Sequence, residues 1–187
     1  MFMAYYHGSP TSGLKELAPV LSEHGKPYVY FSTNPLVALL YAVKPVPKPF
    51  SFYPYGFDKE GRVIYTEYYE NAFADLYKGK AGSLYQCSHL PGLEQENPVA
   101  ISCACVCAQP VEIQKEEIIP DLYQYYMESA EKGLFVLRSK DAVSEKEMGY
   151  ILGELKKDME THHLKEEPQH PMSLFLQAHF PALWQET

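Results

Sequence analysis

Two short groups of residues carry the side chains best suited to chemistry: Tyr6-His7-Gly8-Ser9 near the start, and Tyr28-Val29-Tyr30-Phe31-Ser32-Thr33-Asn34-Pro35 further on, with Tyr41 beyond it. An imidazole such as that of His7 can hydrogen-bond a sugar hydroxyl. Two phenol rings such as Tyr30 and Tyr41 can sandwich a planar ring by offset stacking, at roughly 0.5–1.5 kcal/mol per pair beyond the area they bury. Gly8, lacking a side chain, lets its backbone N–H and C=O come close to a ligand amide. Together these types suit one flat aromatic ligand, nicotinamide.

Two strands and a helix must bring them together. Residues 2–7 are apolar and aromatic enough for a strand that Gly8-Ser9-Pro10 stops, and residues 28–31 form a second strand. Asn34 is placed to cap a helix, with Pro35 at its first position, where no N–H donor is needed. That helix, residues 35–43, is apolar on every face and is expected to be buried. Three prolines make residues 44–49 a surface connector.

The rest of the chain follows the same signals. Residues 14–17 suggest a brief helical turn, 62–69 a strand, 71–77 a short helix, and 83–87, 99–107 and 111–113 further strands. Residues 116–130, 144–160 and 172–184 carry helical spacing with charged outer faces. The expected class is α+β: residues 1–130 form the strand-rich part, and 131–187 a helical C-terminal layer packed on it as one compact unit.

Composition limits the function. Sixteen Lys and Arg against twenty-four Asp and Glu give a net charge of −8, which repels a phosphate backbone and argues against nucleic acid as a main partner. No secretory signal and no long apolar run stand out, so no membrane role and a cytoplasmic location are expected. The four cysteines are too few and too clustered for a disulfide framework and fit a reducing compartment. Cys103, Cys105 and Cys107 would share one strand face about 6.6–6.8 Å apart, whereas thiolates on one tetrahedral zinc sit about 3.8 Å apart. They are expected to be small buried hydrophobes with no metal. His162, His163 and His170 are expected to be solvated linker residues.

His7-Gly8-Ser9, followed by Val29-Tyr30-Phe31-Ser32 and then Tyr41, resembles the ADP-ribosyltransferase superfamily, in the H-Y-E branch that includes diphtheria toxin and the poly(ADP-ribose) polymerases. The likeness covers about residues 5–42. It implies a split β-sheet core and NAD as co-substrate. His7, Gly8, Ser9, Tyr30 and Tyr41 would bind the cofactor, with His7 on the ribose and the two tyrosines around nicotinamide. The implied reaction cleaves the nicotinamide–ribose bond through an oxocarbenium-like state and moves ADP-ribose to an unknown acceptor. His7, Tyr30 and a late Glu would form the catalytic set. The expected late strand carries no carboxylate, and the aligned position falls near Ala104; Glu96 and Glu112 are the neighbours, and Glu112 is preferred. Glu116 and Glu117 read as the first turn of a helix, where acids suit the dipole.

Without that acid, the same scaffold would be a non-catalytic NAD- or ADP-ribose-binding or protein-interaction module, its C-terminal helices docking a protein partner. An RNA 2′-phosphotransferase of the same fold would need more cations than this acidic chain offers, and ranks last.

Overall fold

The computed structural model describes residues 4–21, 25–44, 54–93 and 101–186. In chain order the strands and helices are β1 (Tyr5–Ser9), β2 (Glu16–Leu17), β3 (Val20–Leu21), β4 (Pro27–Ser32), α1 (Pro35–Leu40), β5 (Tyr55–Phe57), β6 (Val63–Thr66), α2 (Ala72–Tyr77) and β7 (Gly82–Cys87). There follow β8 (Ala104–Cys107), β9 (Val111–Glu112), β10 (Lys115–Ile119), α3 (Leu122–Glu131), β11 (Phe135–Arg138), α4 (Glu145–Thr161), α5 (Pro171–His179) and α6 (Pro181–Glu186). The protein is mixed α+β. Most of its strand pairs are antiparallel, and β6 with β11 is parallel.

The chain divides into two units, one of residues 1–44 and 77–126, the other of 45–76 and 127–187. Residues 45–76, expected in the first part, belong to the second, because β6 pairs along its length with β11.

In the first unit the sheet runs β10-β7-β1-β4-β3, with β8 also on β4, and β2 pairs separately with β9. Helix α1 forms as its sequence requires: the Asn34 side chain accepts the Leu36 and Val37 amides at 2.9 and 3.3 Å, and Pro35 opens the helix. The helix ends at Leu40, with Tyr41 as its cap, and Leu36 to Leu40 are all buried. Gly8 lies beneath it. A Cβ at Gly8 would stand 2.0 Å from the Ala38 carbonyl oxygen, and one at Gly82 would stand 2.9 Å from the Ala42 Cβ. Gly8 pairs with Leu84 in β7, two residues from Gly82, so the two glycines share one face, Gly8 under α1 and Gly82 under Ala42 just past the helix end.

Four expected elements differ. Residues 16–17 are extended and pair with β9 rather than forming a helical turn. Residues 116–119, expected to begin a helix, belong to β10, held in register with β7 from Lys115↔Gln86 to Ile119↔Gly82. Pro120 disfavours helical backbone before it, and α3 starts only after Asp121, whose carboxylate accepts the Gln124 amide at 3.0 Å. The expected helix 172–184 is two helices, because Phe180 precedes Pro181 and leaves the helical conformation with φ −134 and ψ 54. Of the expected strand 99–107 only 104–107 pair, as β8; residues 101–103 form a turn closed by the Ala104 amide on the Ile101 carbonyl at 3.0 Å, and 99 and 100 lie outside the described residues, as does nearly all of connector 44–49.

In the second unit β6 lies between β5 and β11. Helices α4, α5 and α6 bury Ile151, Leu155, Met159, Leu176 and Leu183 with Tyr69 and Ala72. Ser144 and Glu147 form a reciprocal capping box at the start of α4. Arg138 adds two bonds to the Glu147 carboxylate, at 2.8 and 2.7 Å. His170, expected to be a solvated linker residue, caps α5 by accepting the Met172 amide at 3.2 Å.

Gly8→Ala should lower unfolding free energy in urea by about 1–3 kcal/mol, the usual cost of overpacking. Gly82→Ala should cost less, because the atom it first meets is a side-chain methyl rather than helix backbone. Arg138 first, then Ser144, brings the Glu147 carboxyl down to about 2 from an ordinary 4.5. Its contribution is therefore complete above the unfolded value and is lost as pH falls from 4.5 toward about 2. Amide exchange at Ser144 should accelerate across that window in the wild type and show no such step in Glu147→Gln.

Candidate functional site

β1 and β4 run antiparallel and meet at Tyr6↔Ser32. Extending that register would set Gly8 opposite Tyr30, yet the two strands form no further pair among the described residues. The His7 imidazole spans the seam instead, with Nδ1 2.8 Å from the Tyr30 carbonyl oxygen. A carbonyl only accepts, so Nδ1 carries the proton and Nε2 of the neutral ring keeps a lone pair. Burial lowers the His7 pKa below its ordinary 6.5, and the Tyr30 bond opposes only part of that. The ring is therefore neutral at pH 7, with an acceptor at Nε2.

Alternation along the strands sorts the remaining side chains. His7 shares a face with Tyr85, its partner on β7, and with Phe31, whose ring stands edge-on at 6.0 Å between centroids. Gly8 and Tyr30 belong to the opposite face, the one α1 covers, where the Tyr28 and Tyr30 rings are 6.3 Å apart. Tyr41 sits at the end of α1, one turn beyond the Ala38 that lies over Gly8, and is 43% exposed. Ser9 is buried at the end of β1, and its hydroxyl accepts the Thr11 amide at 3.1 Å. The structure thus joins His7 to the Tyr30 backbone and fixes Gly8 and Tyr41 through one helix.

The carboxylates are placed differently. Glu112 is exposed on β9, opposite Glu16 of β2 and outside the six-stranded sheet. β8 lies beside β4 with Ala104 opposite Ser32, and its residues Ala104, Cys105, Val106 and Cys107 include no acid. Glu96 lies outside the described residues. Burial raises the Cys87 and Cys105 thiols to about 11 each, so they pack as hydrophobes rather than as thiolates. Among the described residues no three His, Cys, Asp or Glu side chains are grouped to hold a metal ion.

A cluster of polar side chains lies on the His7 face, centred on Glu116, which stands in β10 rather than in the first turn of a helix as expected. Glu116 Oε1 accepts the Gly13 amide at 2.9 Å and the Ser83 hydroxyl at 2.8 Å, and it lies 3.0 Å from the Tyr85 hydroxyl. These bonds, the Gly13 amide foremost, hold the Glu116 carboxyl below its ordinary pKa. The Tyr85 hydroxyl also lies 2.7 Å from the Thr11 carbonyl oxygen and accepts the Leu14 amide at 3.2 Å. Ile118-Ile119-Pro120 after Glu116-Glu117 was the available signal: a β-branched pair before proline favours a strand.

No family model, no curated protein and no solved structure matches the chain. Among the described residues no helix is long and apolar enough to cross a membrane.

In nitrogen-detected NMR, His7 should show the Nδ1–H tautomer at pH 7 and take up a proton only below the ordinary imidazole range. The unfolded chain takes that proton near 6.5, so the group favours the folded state above this value and that contribution declines as pH falls toward the lower folded value.

Proposed function

We propose that the chain binds NAD at the seam between β1 and β4 and cleaves its nicotinamide–ribose bond, passing ADP-ribose to an acceptor in the manner of the ADP-ribosyltransferase superfamily. The observation that carries this reading is the His7–Tyr30 bond, which fixes the imidazole at the seam with a lone pair at Nε2. A ribose hydroxyl can donate to that lone pair on the His7 face of the seam, and the Tyr30 and Tyr41 rings, on the face α1 covers, can clasp a nicotinamide that enters between the two strands. In the reaction the C–N glycosidic bond breaks with its electron pair leaving on nicotinamide. The acceptor then attacks the ribose carbon and gives up its proton. Four free cysteines suit a reducing cytoplasm.

A second reading is favoured by one feature: β8, the strand beside β4, bears no carboxylate to steer the cationic transition state. In that case the seam holds NAD or ADP-ribose without turning it over, and the C-terminal helices serve a protein partner.

Calorimetry with NAD or 3-aminobenzamide should show binding by the wild type. The double variant His7→Ala with Tyr41→Ala should weaken it roughly 30- to 100-fold, the sum of one hydrogen bond and one ring stack. Equal binding by both proteins removes the assignment. Steady nicotinamide release from NAD marks the enzyme. Binding without release marks the second reading, and Ala104→Glu, which sets an acid beside Ser32, should then begin to release nicotinamide.

A further inference from the structure

The segment Thr11–Leu14 follows one residue, Pro10, after His7-Gly8-Ser9 and is fastened to the sheet at three of its four residues. The Thr11 carbonyl meets the Tyr85 hydroxyl at 2.7 Å, the Gly13 amide meets Glu116 Oε1 at 2.9 Å, and the Leu14 amide meets the Tyr85 oxygen at 3.2 Å. Gly13 reaches this position with φ +76, a backbone conformation that L side chains rarely adopt. Tyr85 is fully buried, and its register partner is His7 on one side and Glu116 on the other. Ser83, two residues along β7 and so on the same face, ties Glu116 from below at 2.8 Å. Leu14 packs against the apolar group that contains Phe31 and Tyr85, and Phe31 is the ring that touches His7.

This is more hydrogen bonding than a four-residue surface connection needs. A loop of that length can satisfy its amides with water, and an anchor built on an ionised carboxylate and a buried phenol confines it to one position. The Tyr85 hydroxyl has one proton and two acceptors, the Thr11 carbonyl and Glu116, so both are drawn to the same oxygen. Loss of the phenol oxygen would release the loop at Thr11 and at Leu14 together and take one donor from Glu116.

We propose that Tyr85 and Glu116 are positioning residues that hold Thr11–Leu14 as one wall of the ligand site beside His7, contacting the part of NAD that lies beyond nicotinamide. This rests on the reading of the β1–β4 seam as an NAD site. The fastened wall lies on the His7 face of the sheet, where the ribose would sit, whereas Tyr30 and Tyr41, which would take the nicotinamide, lie on the face α1 covers, across the sheet from the anchor residues. Whole NAD and its nicotinamide fragment therefore respond differently when the anchor is cut.

The test compares wild type with Tyr85→Phe, Glu116→Leu and the milder Ser83→Ala. Each protein is titrated with NAD and, separately, with 3-aminobenzamide, and exchange of the Gly13 and Leu14 amides is followed by NMR. Tyr85→Phe and Glu116→Leu should speed exchange at those two amides at least about tenfold and weaken NAD about tenfold, the factor carried by one ordered hydrogen bond, while 3-aminobenzamide binds as before. Ser83→Ala should move NAD binding in the same direction by a smaller factor. If NAD and 3-aminobenzamide weaken together, the residues are merely structural and the proposal is overturned. Unchanged NAD binding, or unchanged exchange at Gly13 and Leu14, also overturns it. A wild type that binds neither probe removes the NAD reading and the role of the wall with it, and the exchange data then report only whether the anchor exists.

Discussion

Helix α1 has six residues, too few to hold its own shape in water, where isolated helices below about 12–15 residues are marginal. Its Asn34 cap is worth about 1 kcal/mol. Burying Leu36, Val37, Leu39 and Leu40 is worth roughly 1.5–3 kcal/mol each as an upper estimate, so packing decides its existence. That packing is possible only because β1 presents glycine to it, at Gly8; Gly82 of β7 leaves the same kind of room for Ala42 just beyond the helix. Two buried phenols complete the seat: the Tyr77 hydroxyl donates to the Leu40 carbonyl at 2.8 Å and that of Tyr126 to the Leu36 carbonyl at 2.6 Å. Tyr41 is where it is because the helix cannot slide.

The same close approach changes the meaning of Gly8. A glycine after a strand histidine suggests backbone held open for a ligand. Here the space a side chain would take belongs to Ala38 of the helix, so the glycine is required for packing whatever the seam binds. On the other face of the sheet, cross-strand neighbours form the row Glu116, Tyr85, His7 and Phe31 over four strands. The imidazole and the carboxyl in this row are tuned in opposite ways. Burial keeps the His7 imidazole neutral, while hydrogen bonds from Gly13, Ser83 and Tyr85 keep the Glu116 carboxyl charged.

In the second unit the organising contact is the parallel pairing of β6 with β11, from Val63↔Phe135 to Thr66↔Arg138. Parallel strands need a long connection between them, and everything from 67 to 134 separates these two. A division by position along the chain therefore cannot find this unit. Aromatic packing reinforces the pairing, with Tyr65 against Phe73 at 4.7 Å and Phe73 against Phe135 at 5.4 Å between ring centroids.

Local chemistry was readable directly from the chain. Asn34-Pro35 starts a helix because a side-chain oxygen and an absent N–H answer the same orphan donors. The all-round apolar run after it is buried, and the box at Ser144 and Glu147 opens α4 where the charged periodicity begins. What the chain alone left open was set by partners distant in sequence. Residues 115–119 are a strand because β7 offers an edge in register, residues 16–17 are extended because β9 lies opposite, and Glu112 stands on that small sheet rather than beside β4. Helix caps and turns draw on bonds within a few residues, whereas strand pairing, the seam at His7 and the anchoring of Thr11–Leu14 join groups tens of residues apart, and only the folded chain decides which of these meet.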